Sequence, residues 1–200
     1  PILKVDKFEV KLGAAANVAN NLKSLGCNVF LCGTIGLGYS AERFLDLLKS
    51  RGLSHDSVVA SAPNLTTTKT RILINNQQIA RYDYENINLE DKVIEDIYHK
   101  LSEISKKDID LIIVSDYNKG VICDITMNII KAFDKPIIVD PKPVHADLYK
   151  NVLCMTPNLN EFFKMSGIEA RKDQGYIYAQ ANVFMSKNNI ECLIITLGAN

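Results

Sequence analysis

Several apolar runs in this chain end in short polar stretches, and those stretches hold the residues that could do chemistry. They are Gly33-Thr34-Ile35-Gly36, Ser115-Asp116-Tyr117-Asn118-Lys119-Gly120, Asp140-Pro141-Lys142, Thr156-Pro157-Asn158-Leu159-Asn160-Glu161 and Thr196-Leu197-Gly198. Lys119 and Lys142 suit phosphate groups as point charges. Asn158 and Glu161 lie three apart, on one face of a helix start. A carboxylate placed there can hold a metal–phosphate complex through water. Upstream, Gly13-Ala14-Ala15-Ala16-Asn17-Val18-Ala19 is a small-residue run with one amide inside it. Small side chains let a ligand approach the backbone closely. The first N–H groups of a helix have no partner within the helix, and an amide both donates to and accepts from a hydroxylated ligand. Taken singly, Asp116, Asp140 and Asn158 equally fit helix caps and turns. The small-residue run equally fits close helix–strand packing.

These stretches must be positioned by the elements around them. Ala15, Val18, Ala19 and Leu22 recur at helical spacing. The segment 28–33 predicts a short strand ending on glycine. Phe44, Leu45, Leu47 and Leu48 mark a second helix that stops near Arg51-Gly52, with glycine after the last turn. A strand is expected from Leu53 to Val59, and a third helix over Val93, Ile94, Ile97, Leu101 and Ile104. The runs 111–115, 136–140, 152–155 and 192–196 read as strands buried on both faces. Asp124 is expected to cap a helix reaching about Phe133, and further helices run from Asn158 to Ser166 and from Gln174 to Lys187. Strand–helix alternation of this kind predicts a parallel sheet with helices on both faces. Where strands are parallel, ligands bind at their carboxyl ends, where the polar stretches fall. Residues 66–85 depart from the pattern. Two alternating runs flank Asn75-Asn76, a hairpin signal. The hairpin predicts a small separate sheet, joined by Ile2 to Val10, that can cover a site. An ordinary edge hairpin is the plainer reading.

Composition narrows the function classes. The 200 residues are 47% hydrophobic and 23% charged, enough for one domain with a sizeable core. Lys plus Arg equals Asp plus Glu at 23 each, so no basic footprint recommends nucleic acid. No apolar run approaches the roughly 18 residues a membrane span requires, and the opening residues do not read as a signal peptide. Cys27, Cys32, Cys123, Cys154 and Cys192 lack C-x-x-C spacing. An odd, dispersed set predicts free and mostly buried thiols in a reducing cytoplasm. His55, His99 and His145 form no motif, which argues against a metal site or a His-dependent nucleophile. No G-x-G-x-x-G follows a strand, so a plain dinucleotide-binding domain is disfavoured.

The ordered series resembles the ribokinase-like (PfkB) carbohydrate kinases. Asn17, Ala19, Gly26 and Gly36 keep the distances of the family's first motif. Asn158-Leu159-Asn160-Glu161 resembles its N-x-x-E motif, and Thr196-Leu197-Gly198 resembles the strand end that meets nucleotide phosphates. Within the family, the likeness is greatest to the bacterial heptose 7-phosphate kinases. It rests on Gly13-x-Ala15-Ala16-Asn17-Val18-Ala19, Thr67-Thr68-Lys69-Thr70-Arg71, Asn76-Gln77-Gln78-Ile79-x-Arg81, Ser115-Asp116-Tyr117-x-Lys119-Gly120, Asp140-Pro141-Lys142 and Thr156-Pro157-Asn158-Leu159-x-Glu161.

The resemblance implies an α/β fold, ribokinase-like, in three α/β/α layers with a mostly parallel sheet and a small β lid. Residues 1–200 would form a single kinase domain, incomplete at both ends, with lid segments at about 1–11 and 66–85. The implied reaction moves the ATP γ-phosphoryl group to the anomeric hydroxyl of a heptose 7-phosphate, with Mg2+, in ADP-heptose and lipopolysaccharide precursor synthesis. Gly13 and Asn17 would hold sugar hydroxyls. Lys69, Arg71, Gln78, Arg81, Asp116, Lys119 and Lys142 are candidates for the sugar or its phosphate. Asn158, Glu161, Thr196 and Gly198 would serve nucleotide and phosphate, with Glu161 reaching the metal through water. A homodimer formed through the β lid and a cytoplasmic location are also implied.

Two departures from the family pattern stand out. Its glycine pair is Gly13-Ala14 here, which predicts weakened sugar affinity if φ at 14 is positive. Its Gly-Ala-Gly-Asp motif, which carries the general-base aspartate, does not occur in these 200 residues. A positioned base contributes roughly a hundred- to ten-thousandfold in rate, so these residues alone are expected to turn over feebly. Another sugar or nucleoside kinase of the same fold and a non-catalytic sugar- or nucleotide-binding module are the rival readings.

Overall fold

Apolar β-branched runs form the centre of the molecule. The structure is a computed structural model and describes residues 4–62, 65–85 and 89–198. Strands β5 (Ile112–Ser115), β6 (Ile137–Asp140), β7 (Val152–Met155) and β8 (Ile190–Leu193) lie side by side in that order, all parallel. A second parallel pair is β1 (Gly33–Ile35) with β2 (Val58–Ala60). Helices α3 (Asp91–Ile104), α4 (Asp124–Lys131), α5 (Leu159–Ser166) and α6 (Gln174–Asn188) bury the four-stranded sheet. Helices α1 (Ala14–Ser24) and α2 (Tyr39–Ser50) enclose a smaller core of Ala16, Ala19, Leu48 and Leu53 beside the first pair. Helix α3 packs on β1, β2 and α4, so it links the two sheets. This mostly parallel α/β arrangement is the one expected from the alternation of periods.

The local rules behind the helices are visible. Val93, Ile97, Leu101 and Ile104 recur at helical spacing and are all buried in α3. Leu48 and Ile97 are fully buried, each stabilising the fold by about 1.5–3 kcal/mol. Helix α5 starts at a reciprocal capping box between Asn158 and Glu161 and ends on Gly167 in the left-handed conformation, φ 65°. Its Phe162 meets Phe184 of α6 edge to face, with centroids 5.8 Å apart.

Several boundaries differ from expectation. Residues 28–32 lie outside any strand, and β1 occupies 33–35 rather than ending at 33. Strand β2 occupies 58–60 instead of 53–59, and β8 occupies 190–193 instead of 192–196. In each case the strand is set by pairing with its neighbour rather than by the limits of the apolar run, and beyond β8 the Ile194 N–H still donates to Met155 O at 2.9 Å. Cys123, not Asp124, caps α4, because Thr126 Oγ1 accepts from the Cys123 N–H at 3.1 Å. All five thiols are free as expected, but only Cys154 is buried, while Cys27 and Cys192 are exposed. Burial pushes the Cys154 thiol up to about 11.

The hairpin forms as its turn signal predicts. Strands β3 (Thr68–Ile74) and β4 (Gln77–Tyr84) pair antiparallel as a sheet of their own. Asn75 and Asn76 take φ 50° and 64°, the geometry of a tight hairpin turn. Of the segment from Ile2 to Val10, residues 4–10 form no strand and do not join it, and Ile2 and Leu3 lie outside the described residues.

The helix start at Ala14 is strained. Ala14 has φ 49° while Gly13, at φ −118°, is ordinary extended backbone. A left-handed conformation costs an alanine about 1–2 kcal/mol, and glycine adopts it freely at a smaller entropic cost. Ala14→Gly is therefore expected to raise stability by about 1 kcal/mol, read as a higher midpoint in thermal unfolding.

Candidate active site

The parallel strands bring their carboxyl ends together. Ser115 pairs with Asp140, and the Asp116 N–H donates to Asp140 O at 3.0 Å. Beyond β7 and β8 the alignment continues as a bridge between Asn158 and Thr196, where the Leu159 N–H donates to Thr196 O at 3.1 Å. Asp116, Asp140, Lys142, Asn158, Glu161 and Thr196 thus converge on one edge of the sheet.

Asp116 is the most enclosed of these, 1% exposed. Its Oδ1 accepts from the Asn118 N–H at 2.6 Å. Its Oδ2 accepts from the Tyr149 hydroxyl and lies 2.6 Å from His145 Nδ1, which carries the proton toward the carboxylate. With both oxygens occupied from within, Asp116 holds the kinked 3-10 stretch Pro143–Tyr149 rather than presenting itself to a sugar. Burial, reinforced by the bond to Asp116, raises the Tyr149 hydroxyl pKa well above its ordinary value, so it stays a donor.

Beside this anchor, Lys142 Nζ pairs with Glu161 Oε1 at 2.5 Å. Glu161 Oε2 accepts the Asn158 N–H at 3.0 Å, and the Glu161 N–H returns to Asn158 Oδ1 at 2.9 Å. Asn158 and Glu161 are thus a helix cap and, at once, the seat of the ion pair with Lys142. Burial opposes the charge on Lys142, but the Glu161 hydrogen bond and the Asp140 and Asp116 carboxylates outweigh it and raise its pKa. Asp140 is pushed upward, first by burial, then by the nearby Glu161 and Asp116 charges, against the pull of Lys142.

A second cluster sits on the hairpin. Lys69 Nζ lies 2.7 Å from Asp83 and 3.2 Å from Glu85. Arg81 Nε reaches Asp83 at 3.1 Å, and Lys119 Nζ reaches Glu85 at 2.7 Å. Three of the expected cations, Lys69, Arg81 and Lys119, are therefore brought together. Arg71 faces Arg81 across the strands, and Gln78 lies beyond a register shift, opposite Leu73. The Lys69 hydrogen bond lowers the Asp83 pKa, and the Lys119 hydrogen bond lowers that of Glu85.

Gly13 and Asn17 are exposed at the start of α1, joined by the Asn17 N–H to Gly13 O bond of 3.2 Å. Gly198 follows Thr196 with φ 79° and open space where a side chain would stand. Among the described residues no hydrogen bond or ion pair joins Gly13, Asn17 or Gly198 to the clusters above.

Asp83, Glu85, His145 and Tyr149 escaped the sequence reading. The first two were accessible to it, since they alternate with Arg81 on a strand. His145 and Tyr149 meet Asp116 from about thirty residues away, and no local pattern announces that.

Solved structures of this fold include Escherichia coli phosphofructokinase-2 in complex with fructose-6-phosphate, at TM-score 0.70 and 16% identity over 93% of this chain and 62% of that one. The fold is thus ribokinase-like α/β, the class of these kinase neighbours. The sequence matches the pfkB family carbohydrate kinase description over residues 4–200. This chain belongs to the PfkB family. The bifunctional protein HldE of Helicobacter pylori is 40% identical over 170 residues, 80% of this chain and 36% of that protein. That of Desulfatibacillum aliphaticivorans is 33% identical over 204 residues, 98% of this chain and 41% of that protein. The chain therefore spans little more than a third of the first of these relatives.

Two outcomes test the energetics of the site. Asp116→Ala strands the buried Tyr149 hydroxyl and His145, so it should cost about 3 kcal/mol in urea unfolding, whereas Tyr149→Phe should cost about 1 kcal/mol. Asp140 has a raised folded pKa, so its ionised form burdens the fold and stability falls as pH rises above the unfolded value of 3.8. Asp140→Asn should therefore stabilise the protein at pH 7. That advantage should shrink as pH falls through the raised pKa toward 3.8.

Proposed function

We propose that this chain is the kinase portion of an enzyme that phosphorylates the anomeric hydroxyl of a heptose 7-phosphate with ATP. The observation that carries this reading is the strand-end assembly of Lys142, Glu161 and Asn158 beside Thr196. The helix start of α5 and the Lys142 ammonium supply positive charge where a phosphate chain would lie. The likeness to the two HldE proteins supports the sugar, and the fructose-6-phosphate held by the bacterial phosphofructokinase supports a phosphorylated one.

The reaction needs positioning and charge neutralisation more than covalent chemistry by the protein. The anomeric oxygen attacks the γ-phosphorus, the bond from that phosphorus to the ADP oxygen breaks, and the hydroxyl proton passes to water. Gly13 and Asn17 hold sugar hydroxyls. Lys69, Arg71, Gln78, Arg81 and Lys119 face the sugar or its phosphate from the hairpin side. Thr196 and Gly198 border the nucleotide. Mg2+ keeps several waters and takes few protein ligands when it travels with phosphates. Glu161, with Oε1 engaged by Lys142 and Oε2 by the Asn158 N–H, would act through a metal-bound water rather than as a direct ligand, and Mg2+ would neutralise phosphate charge there. Among the described residues no three acids, histidines or cysteines gather as a metal-ion cage.

Tyr82 and Tyr84, 59% and 57% exposed on the uncharged face of the hairpin, support a homodimer formed through the lid. The free thiols support a reducing, cytoplasmic setting, and among the described residues no helix is long and apolar enough to cross a membrane.

Calorimetric titration with ATP–Mg2+ and with the heptose 7-phosphate, alongside an ADP-release assay, tests the reading. Both ligands should bind, while residues 1–200 assayed alone should turn over feebly. Ala14→Gly should tighten the sugar several-fold by relieving the strained helix start; an unchanged or weaker affinity would contradict that role. Failure of the parent protein to bind either ligand would sink the kinase reading.

A further inference from the structure

Strands β7 and β8 carry a pair of nucleophilic side chains that phosphoryl transfer does not use. Cys154 and Cys192 are register partners in this parallel pair. Adjacent strands lie about 4.7–4.9 Å apart, within the roughly 4.4–6.8 Å between Cα atoms that a disulfide spans. The two thiols differ in access. Cys154 is buried, whereas Cys192 is exposed on β8, the outer strand of the four. Burial, then a hydrogen bond with Cys192 and the Cys192 charge, push the Cys154 thiol up to about 11, so the two sulfurs are neighbours. Cys27, Cys32 and Cys123 lie outside every strand and have no such register. The same offset that pairs Cys154 with Cys192 pairs Val152 with Ile190 and, beyond the strand ends, Asn158 with Thr196. The thiols therefore sit in the strand pair that ends on the candidate nucleotide edge, about 13 Å upstream of it at roughly 3.3 Å per residue.

We propose that Cys154 and Cys192 form a reversible oxidation site, closed to a disulfide by hydrogen peroxide and reopened by thiols. The exposed Cys192 meets the oxidant first. Its sulfur attacks one peroxide oxygen, the O–O bond breaks and water leaves, with Cys192 oxidised to a sulfenic acid. The Cys154 sulfur then attacks the Cys192 sulfur. The S–O bond breaks, and hydroxide departs with the Cys154 proton as a second water. Two thiols are oxidised to one disulfide, and one peroxide is reduced to two waters. Burial keeps Cys154 protonated and inert toward the oxidant itself. Its place beside Cys192 replaces a chance encounter between two thiols with one already oriented. In a reducing compartment a disulfide of this kind is transient, held only while peroxide outpaces thiol reductants. Closed, it joins β7 to β8 covalently beneath the Asn158–Thr196 bridge.

The test is peptide mapping by mass spectrometry after graded hydrogen peroxide, with dimedone to trap sulfenic acid and dithiothreitol to reverse the product. It is run on the parent, C27S, C154A and C192S. In the parent, Cys154 should be joined to Cys192 within one chain and released by dithiothreitol, with little dimedone adduct at Cys192. C27S, which removes the other exposed thiol, should close in the same way. C154A should instead accumulate the dimedone adduct at Cys192. C192S should keep Cys154 a free thiol at peroxide concentrations about tenfold above those that close the parent. If C154A does not fold, C192S, altered at an exposed position, carries the comparison. A parent whose Cys154 stays a free thiol wherever Cys27 is oxidised overturns the site. So does a Cys192 that stops at the dimedone adduct in the parent, or that links only between chains.

Discussion

A carboxylate held almost entirely out of water at the end of β5 is the constraint on which the site depends. Removing an ionised group from water costs several kcal/mol unless hydrogen bonds replace the lost hydration. Asp116 receives those bonds from Asn118, His145 and Tyr149, each from a different part of the chain end or the following loop. Satisfying Asp116 therefore dictates where the 143–149 stretch lies. That stretch begins one residue after Lys142, so the lysine's approach to Glu161 follows from it, and Glu161 in turn closes the cap of α5. A chain of local bonds converts one buried charge into a positioned set of polar groups.

The same economy of charge explains the contrast between the two clusters. At the strand ends, Asp116, Asp140 and Glu161 crowd around one lysine, and the partly buried Asp140 bears the cost as a raised pKa. On the hairpin the balance is reversed, with cations outnumbering acids on an exposed face. Ser115 Oγ, adjacent to Asp116, is the one buried side-chain oxygen or nitrogen without a hydrogen-bond partner among the described residues. Imbalances of this kind are costly to a fold, and proteins keep them at places that serve ligands.

Much of the architecture was legible because it follows from local rules. The buried strands 112–115, 137–140 and 152–155 fall within continuous apolar runs, and α3 follows its helical spacing. Asn75-Asn76 announces its turn by tolerating positive φ. Asn158 and Glu161 announce their cap by their separation of three. Strand limits near Gly33, Val58 and Leu193 were less legible, because an apolar run shows what can be buried but not where a neighbouring strand stops. The expectation of buried thiols failed for a related reason: burial is decided by what packs against a residue, and Cys27 and Cys192 have little above them.

By itself, the sequence determined the alternation of strand and helix, the caps and turns, and the polar residues that gather at strand ends. Each of these is encoded in spacings of two to four residues or in the conformational limits of single side chains. Only the tertiary structure decided that Asp116 looks inward to Tyr149 and His145, that Lys142 belongs to Glu161, and that Glu85 joins Lys69 to Lys119. Those pairings join residues from 16 to 34 positions apart, and their partners are chosen by parallel registry and burial, which no short window of sequence contains.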